Sequence, residues 1–403
     1  MSGDGKGLLF FSYDGVLGGP GRSQVLPYLR GYREDGWSVH LLSYEKPHLL
    51  AEEGARKAVE QELAGRGVRW TVLPWRGRML RDYLAGCEAV ARIVDAEKPA
   101  VLHARSYVPA VIGRRSGLHR GAKLLFDMRG LWPDERLEGG LWSRWNPLYH
   151  CWKRLERTLL RTADGVVVLS HAGARLLREE GLLPEDKPLE VIPCGADLER
   201  FRPMPAESAP EDLRPFLGKR IWTFLGATGT WYLLPEMLDF AAEAVRGDPE
   251  SRILFLTEDP QRVIAEGLSA RGVPADRVLI RRVSHADVPL WITPSHAGVF
   301  FIRSCRSKKA SCPTKLAEFL GCGVPVVVNG GIGDMDETVV GNRVGVVLQD
   351  FGPAASRQAR ERLAQLRVDP AIGTRCRTEA ECHLDSREGG RTFSRFAASL
   401  VSK

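Results

Sequence analysis

Short apolar segments alternate with helical patterns along almost the whole chain, and this alternation limits the folds that the sequence can adopt. The first series of strands is predicted at Leu8–Ser12, Val39–Ser43, Trp70–Leu73, Val101–Ala104, Lys123–Asp127 and Val166–Ser170. The second series is predicted at Ile221–Gly226, Ile253–Thr257, Val278–Arg282, Gly298–Ile302, Val324–Val328 and Val344–Leu348. Strands separated by single helices form parallel sheets with helices on both faces. The sequence therefore predicts an α/β protein with two Rossmann-like, doubly wound domains.

The segment between the two series, residues 201–215, is rich in proline and acidic residues, which is typical of a linker. We therefore predict an N-terminal domain over residues 1–203 and a C-terminal domain over residues 204–385. Two such domains that face each other across a cleft bind ligands at the carboxyl ends of their strands. The last helical pattern follows no new strand, so residues 386–403 are predicted to form a separate closing helix.

Composition narrows the class of protein and its partners. The chain has 403 residues, and no apolar run approaches the roughly 20 residues that span a bilayer. The apolar run near the N-terminus is too early and too short for a signal peptide, and the eight cysteines form no CxxC pair, so we expect a cytoplasmic protein with reduced thiols. The net charge of +7 favours anionic partners such as nucleotides or phospholipid headgroups. No nucleic-acid module is recognisable, so we expect no nucleic-acid partner.

Residues 307–334 are the most informative segment for function. Pro313 and Thr314 are predicted to open a helix that Ser311 caps, and Gly321 and Gly323 to close it. A helix N-terminus attracts anions, and nearby ammonium groups strengthen the attraction. The segment carries three such groups, on Lys308, Lys309 and Lys315. It therefore predicts a phosphate site.

Glu318 lies one turn inside the same predicted helix, where its carboxylate can accept hydrogen bonds from sugar hydroxyls. Phosphate held by backbone N–H groups beside such a carboxylate is the arrangement that a nucleotide sugar requires. The alternative is an ordinary α/β loop with solvated lysines. Asp334 and Asp336 follow further along the segment, and we predict no metal there because carboxylates at a helix start are common.

A glycine-rich turn, residues 18–21, follows the first predicted strand and precedes a helix. Gly19 and Gly21 are predicted to let the backbone approach a ligand closely. The turn lacks the GxGxxG spacing of a dinucleotide site, so a flexible turn without a ligand is an equal alternative.

Several segments together resemble the family 4 glycosyltransferases, which are retaining enzymes of the GT-B fold. In the N-terminal half these segments are GGPGRSQVLPYLRGYREDGWSVHLLSYE, VLHARSYVPA and FDMRGLWPDE. At the domain junction they are TADGVVVLSHAGARLL and LEVIPCGADLERFRP. In the C-terminal half, PTKLAEFLGCGVPVVVNGGIGD is the most specific match, and REGGRTFSRFAASLV is similar to the closing helix of the family.

The resemblance implies a retaining transferase that moves a sugar from a nucleoside-diphosphate sugar to a hydroxyl acceptor, without a metal or other cofactor. The acceptor would be a glycan, a lipid-linked glycan or a small metabolite. The donor would bind the C-terminal domain and the acceptor largely the N-terminal domain. The closing helix of the family crosses back onto the N-terminal domain.

Glu318 matches the second glutamate of the family motif E-x7-E, which usually binds the donor ribose, whereas Ala310 stands at the first glutamate position. Residues 226–232, GATGTWY, replace the usual arginine–lysine pair after the first strand of the C-terminal domain, and they bring Gly229 and Thr230 to the predicted donor site. Lys308, Lys309 or Lys315 would then supply the charge that stabilises the leaving diphosphate. We assign the catalytic contribution to Lys308 and Lys315, and donor binding to Lys309, Ser311, Thr314 and Glu318.

His103 matches a histidine of the family that lies near the sugar, and the alternative is a histidine of the core or a cap. Arg105 lies two positions later and points the same way on an extended strand. Arg129 follows the fifth predicted strand, where it would bind acceptor hydroxyls or a phosphate, or else join an ion-pair network. We therefore place His103 at the catalytic site, and Arg105 and Arg129 with Gly19 and Gly21 at the acceptor side.

Two other functions fit the same fold. Nucleotide-sugar 2-epimerases need acid and base groups but no acceptor. A non-catalytic GT-B protein that binds a partner would account for Ala310, although Lys315 and Glu318 are both present.

Residues 141–161 combine four aromatic residues with several basic ones. Such a helix can lie on an anionic membrane, for example the inner face of a cell membrane where lipid-linked acceptors are found. The favoured interpretation is that Trp145, Tyr149, Trp152 and Leu155 instead pack inward.

Overall fold

The computed structural model describes residues 6–116 and 121–402 and divides the chain into two compact units. The N-terminal unit consists of the residues up to Cys194 together with the segment that begins at Ser386. The C-terminal unit is Gly195–Asp385. Each unit contains one sheet in which every strand pairs in parallel with its neighbours. The predicted pair of Rossmann-like α/β domains is confirmed.

The N-terminal unit is built on a seven-stranded sheet in the order β3-β2-β1-β4-β5-β6-β7. Its strands are β1 Gly7–Ser12, β2 Ser38–Glu45, β3 Arg69–Pro74, β4 Val101–Arg105, β5 Lys123–Asp127, β6 Gly165–Val168 and β7 Leu189–Val191. Its helices are α1 Gly19–Glu34, α2 Pro47–Leu50, α3 Glu53–Gly65, α4 Met79–Glu97, α5 Tyr107–Ser116, α6 Trp132–Glu138, α7 Pro147–Thr162 and α8 His171–Glu179. The central strands are buried on both faces, which explains their nearly continuous apolar sequences.

The C-terminal unit is built on a six-stranded sheet in the order β10-β9-β8-β11-β12-β13. Its strands are β8 Arg220–Leu225, β9 Ser251–Leu256, β10 Val278–Arg281, β11 Ala297–Phe300, β12 Val326–Asn329 and β13 Gly345–Leu348. Its helices are α9 Leu234–Gly247, α10 Gln261–Ser269, α11 Val288–Ile292, α12 Thr314–Gly321, α13 Pro353–Arg367 and α14 Ile372–His383. Short 3-10 turns lie at Ala206–Ser208, Glu211–Phe216, Ala275–Arg277 and Arg306–Ala310, and a π-helical turn lies at Glu337–Gly341.

The final helix, α15 (Ser386–Val401), packs on α1 in the N-terminal unit. The ring centroids of Phe393 and Tyr28 are 4.8 Å apart, and Trp37 donates a hydrogen bond from Nε1 to Ser394 Oγ over 2.9 Å. Phe393, Phe396 and Leu400 belong to the core of that unit. Helix α15 therefore completes the core to which β1 and α1 also contribute.

All twelve predicted strands are present, with ends shifted by at most two residues. The sequence prediction missed β7, because three half-buried residues at a sheet edge carry no clear apolar pattern. The predicted linker at residues 201–215 is wrong. Phe201 and Leu213 are buried in the core of the C-terminal unit, so these apolar side chains hold the proline-rich segment against the sheet.

No helix among the residues that the structure describes is long and apolar enough to cross a membrane.

The contact between α1 and α15 depends on two glycines. A Cβ atom added at Gly31 would meet the backbone of Gly390, including its carbonyl oxygen at 2.6 Å. We expect Gly31→Ala to lower the free energy of unfolding by about 1–3 kcal/mol, because the neighbour is rigid backbone. Chemical unfolding followed by circular dichroism measures this change.

Gly54→Ala is the matched control, since Gly54 also lies in a helix but has open space where the Cβ would stand. Its stability should stay equal or rise by about 0.5–1 kcal/mol. Equal stability of Gly31→Ala and the wild type would show that the two helices are not in backbone contact.

Candidate functional site

The order of strands in the C-terminal unit creates a place for a ligand. The chain order reverses between β8 and β11, so the connections that leave these two strands diverge at their carboxyl ends. Open α/β sheets bind ligands in the crevice at such a switch point. The loop at residues 226–233 follows β8, and residues 301–313 follow β11 and lead into α12. The segment that the sequence singles out therefore borders the switch point.

The start of α12 differs from the prediction in one respect. The helix begins at Thr314, and Pro313 occupies the N-cap position, where it cannot supply a capping side chain. Ser311 ends the preceding 3-10 turn in an extended conformation, so the predicted Ser311 cap is wrong. Gly333 N donates to Lys308 O over 2.9 Å and ties the glycine-rich turn after β12 to the same 3-10 turn.

Lys315 is a buried cation that reaches from α12 to the loop after β8. Its Nζ donates to Ala227 O over 3.1 Å and lies 3.4 Å from the centroid of the Tyr232 ring. Burial lowers the pKa of Lys315 to about 7, although Glu318 and Asp259 act in the opposite direction. Within the described ranges no carboxylate lies at ion-pair distance from Nζ, so a bound anion would complete the neutralisation of this group.

Lys308 points to the same loop. It is buried, and its Nζ lies 4.0 Å from the centroid of the Trp231 ring. Lys309 is exposed. The structure therefore brings Lys308 and Lys315 to one loop, each over an aromatic face, and leaves Lys309 at the surface.

The loop after β8 is shaped for these lysines. Gly226 has a φ of +79°, and a Cβ there would lie 3.0 Å from Lys315 Cε. Gly229 and Thr230 are exposed at the tip of the loop, and Trp231 N donates to Gly229 O over 2.7 Å. This turn presents the aromatic rings of Trp231 and Tyr232 to the two lysines.

Asp259, which the sequence prediction missed, anchors the loop. Its Oδ2 accepts from Thr228 N over 2.6 Å and from Thr228 Oγ1 over 2.8 Å. Asp259 is the third residue after β9, and a carboxylate just beyond the carboxyl end of a predicted strand is the signal that could have found it.

Glu318 is buried in α12, and a second missed residue holds its carboxylate. His285 donates from Nε2 to Glu318 Oε1 over 2.8 Å. The side chain of His285 is 47% exposed, and its ring lies 5.1 Å from that of Phe201. His285 follows β10, so it too stands at a strand end where sequence reasoning could have placed it. Ala310, at the position of the first motif glutamate, is buried and offers a ligand no charge.

In the N-terminal unit the glycine-rich turn is part of a helix. Gly19 begins α1, and a Cβ at Gly21 would collide with the backbone of Gly15. The carboxylate of Glu45, fully buried at the end of β2, accepts from Val16 N over 2.8 Å and from Ser43 Oγ over 2.7 Å. Glycine is therefore required at position 21 because the backbone of Gly15 packs against it. Neither a flexible turn nor a ligand is needed to explain the glycine.

His103 lies in the core and does not reach a surface. Its Nδ1 is hydrogen-bonded to Tyr32 Oη over 3.0 Å, its Nε2 lies 3.4 Å from Asp127 Oδ2, and Phe10 and Phe393 pack on its ring. Burial lowers the pKa of His103. The expectation that this ring faces a ligand is not met by the geometry, because an alternating strand pattern does not distinguish a face that a later helix covers.

Arg105 and Arg129 meet at one side chain, Gln24. Both donate to Gln24 Oε1 over 2.8 Å, and Arg105 also pairs with Asp14, whose side chain is half exposed. Burial alone would raise the pKa of Asp127, but Arg129, His103 and Arg105 together hold it below its ordinary value. Arg105 and Arg129 are thus members of an ion-pair network at the carboxyl ends of β4 and β5.

No group of three or more His, Cys, Asp or Glu side chains in residues 6–116 and 121–402 is placed to hold a metal ion. Asp336 instead accepts from Gly331 N over 2.7 Å.

Two Rossmann-ordered parallel sheets in one chain, with the last helix returned to the first sheet, define the GT-B class of proteins. The sequence model of the family described as Glycosyltransferase Family 4 matches residues 23–200. The chain therefore has the GT-B fold, and within it residues 23–200 are similar to the glycosyltransferase family 4 domain.

Solved structures of the same fold cover nearly the whole chain. Sucrose-phosphate synthase from Thermosynechococcus elongatus aligns with a TM-score of 0.73 and 16% identity, over 98% of this chain and 99% of that one. A glycosyltransferase from Rickettsia africae aligns with a TM-score of 0.75 and 14% identity, over 99% and 100%. Anabaena Alr3699/HepE in complex with UDP-glucose aligns with a TM-score of 0.72 and 13% identity, over 98% and 100%.

A protein assigned as a UDP-N-acetylglucosamine 2-epimerase, from Listeria monocytogenes, shares the fold with a TM-score of 0.63 and 12% identity, over 99% and 98%. No curated protein sequence matches the chain.

The buried ammonium group gives a pH-dependent prediction. Between the pKa of about 7 in the folded protein and the ordinary value of 10.5, the unfolded chain holds a proton at Lys315 that the folded chain has lost. The contribution of Lys315 to the free energy of unfolding therefore rises with pH, by about 1.4 kcal/mol per unit. Lys315→Met should stabilise the protein near pH 7 and lose this advantage as the pH rises, which urea unfolding at a series of pH values measures.

Lys309→Met is the matched control for the loss of a lysine, because its side chain is exposed on the same segment. A constant difference between Lys315→Met and the wild type at every pH would rule out the depressed pKa.

Proposed function

We propose that the chain is a retaining glycosyltransferase that binds a nucleoside-diphosphate sugar in its C-terminal unit and transfers the sugar to a hydroxyl acceptor. The observation that carries the proposal is the buried ammonium group of Lys315 at the switch point of the sheet, which has no carboxylate at ion-pair distance in the part of the chain that the structure describes. A diphosphate is a ligand that this group and the start of α12 would stabilise together. The solved complexes of HepE with UDP and UDP-glucose support a donor of this class.

Each side chain at the switch point has a role in this proposal. The ribose hydroxyls donate to Glu318, which His285 holds in place. The diphosphate lies against Lys315 and Lys308, which take up the negative charge that develops as the glycosidic bond breaks. Trp231 and Tyr232 keep both lysines in position before the donor arrives.

Transfer proceeds on one face of the sugar. The bond between the anomeric carbon and the diphosphate oxygen breaks, the acceptor oxygen bonds to the same face, and its proton passes to the departing phosphate oxygen. This course suits the site because the buried carboxylate in α12, Glu318, is already held by His285 and is assigned to the ribose. No metal is part of the proposal, since lysines supply the charge.

On the acceptor side we propose that Arg105, Arg129 and the loop around Asp14 contact the acceptor. Asp14 is half exposed and pairs with the buried Arg105, so an acceptor group can approach this pair from solvent. His103 acts here as a positioning residue, because it holds Asp127 beneath Arg129. Ala310 removes one contact to the transferred sugar, so recognition of the sugar depends on other residues.

The donor assignment has a direct test. A thermal-shift screen against UDP-, GDP-, ADP-, TDP- and CMP-linked sugars identifies the donor, and calorimetry then measures its affinity. Glu318→Ala should weaken binding by about 10- to 100-fold, since a hydrogen bond to a charged group contributes about 1.5–3 kcal/mol. Glu361→Ala, at an exposed carboxylate of α13, should bind like the wild type. Unchanged affinity in Glu318→Ala would contradict the assignment of the ribose to Glu318.

Lys315 adds a pH dependence to donor binding. Its pKa is about 7 in the free protein and should rise when a diphosphate lies beside it. Donor affinity should therefore be constant below that pKa and fall as the pH rises above it, with uptake of a proton. Calorimetry at pH 8 in two buffers of different protonation enthalpy measures this uptake, which Lys315→Met should abolish. No proton uptake in the wild type would sink the proposed contact with the diphosphate.

Product analysis separates the proposal from its rivals. An epimerase converts the donor sugar in the absence of any acceptor, whereas a transferase requires one, and nuclear magnetic resonance distinguishes the two products. Binding of a donor from the screen excludes a protein that has lost the nucleotide site.

A further inference from the structure

The start of α7 and the loop before it expose large apolar side chains. Trp145 is 84% exposed, Leu141 is 61% exposed and Leu148 is 44% exposed. The expectation that Trp145 packs inward is therefore wrong. Tyr149, Trp152 and Leu155 are half-buried, as an inward-facing side of the helix requires. Neighbouring exposed apolar side chains with a polar rim are typical of interaction surfaces.

The exposed charges along residues 139–163 are all basic, while the half-buried Glu135 and Glu138 of α6 lie just before this stretch. Between residues 139 and 163 the only acidic residue is Glu156. Glu156 is fully buried, where it accepts from Tyr107 Oη and pairs with Lys153. The exposed ionisable residues of the same stretch are Arg144, His150, Cys151, Arg154, Arg157 and Arg161. The outward face of this segment is therefore apolar at its tip and basic along its length.

The first turns of α7 lie beyond the start of α5, and α6 packs on one side of them. Tyr107, the first residue of α5, contacts Glu156, and Arg114 near the end of α5 donates to Thr162 Oγ1 over 3.1 Å. The part of α7 before Glu156 therefore extends past the start of α5, by roughly 13 Å at the helical rise per residue. Trp145 and Leu148 lie at the far end of this extension.

A second segment of the same kind lies at the start of α4. Trp75, Leu80 and Leu84 are 38%, 69% and 56% exposed. The exposed charged residues of this segment are Arg76, Arg78 and Arg81, and the exposed Glu88 one turn beyond Leu84 pairs with Arg92. Asp82 is buried, where it accepts from the backbone N–H groups of Arg76 and Arg78. The helices α4, α5 and α7 pack side by side in one layer, and α4 and α7 both start at the carboxyl edge of the sheet, so the two segments lie at the same end of that layer.

We propose that these two segments, residues 75–84 and 141–154, dock the N-terminal unit on an anionic lipid bilayer. Apolar side chains at the tips, with tryptophan among them, enter the interface, and the arginines bind the acidic headgroups. Charge complementarity favours a bilayer, because the basic residues spread along two helices instead of lining one pocket. The proposal rests on the proposed function for its purpose, since an enzyme held at a membrane would reach a lipid-linked acceptor.

Sedimentation of the full-length protein with vesicles tests the docking. Vesicles of phosphatidylcholine with phosphatidylglycerol should bind the protein, vesicles of phosphatidylcholine alone should bind it weakly, and salt should release it. Trp145→Ser should reduce the partition coefficient about tenfold. Arg144→Gln with Arg154→Gln, both exposed, should reduce it roughly fivefold for each arginine.

Matched controls lie in the C-terminal unit. Val368→Ser removes another apolar side chain, 82% exposed, and Arg262→Gln removes another exposed arginine, so neither should change vesicle binding. Donor affinity should stay unchanged in Trp145→Ser, which shows that the variant is folded and separates this result from that of the donor tests. The proposal is overturned by absence of vesicle binding, by equal binding to neutral vesicles, by normal binding of Trp145→Ser, or by binding to single-stranded nucleic acid in place of vesicles.

Discussion

The candidate donor site depends on one unusual group, an ammonium ion buried in the C-terminal unit with aromatic and carbonyl partners in place of a carboxylate. Burial opposes the charged form of Lys315, Glu318 and Asp259 favour it, and the balance brings its pKa to about 7. The ammonium group itself contacts Ala227 O and the ring of Tyr232. The residues around Lys315 accommodate this buried ammonium group. Gly226 leaves room for the lysine stem, and Asp259 fixes the loop that carries the tyrosine. A site of this kind is prepared for negative charge before any ligand binds.

Much of the architecture could be predicted because buried parallel strands have a simple signature. Val324–Val328 and its counterparts are apolar on both faces, and this pattern places strands to within two residues. Lys315 and Glu318 could be placed because a helix start after a strand end has a known geometry. The prediction failed where the burial of a residue is determined by contacts with segments far away in the sequence. Nothing in VLHARS reveals that α15 covers His103, and nothing in FRPMPAESAPEDLRP alone reveals that Phe201 and Leu213 enter a core.

The two units differ in how they hold charge. In the N-terminal unit, buried arginines and carboxylates satisfy one another, as in the network of Arg105, Arg129 and Asp127. In the C-terminal unit the buried ammonium group of Lys315 has no carboxylate at ion-pair distance among the described residues. Removal of one member of a paired network leaves the opposite charge buried without a partner. Removal of a buried cation that has no carboxylate partner leaves no such charge behind. A substitution at Arg129 is therefore expected to change stability and function together. At Lys315 the effects of a substitution on stability and on function can be measured separately.

The position of α15 has a consequence for the order in which the protein is made. The core of the N-terminal unit includes Phe393, Phe396 and Leu400, which are synthesised after every residue of the C-terminal unit. Domains usually fold in turn as they leave the ribosome. Here the part of the first core that α15 covers cannot be completed before residues 386–401 have been made, so the second unit is the first whose residues are all present.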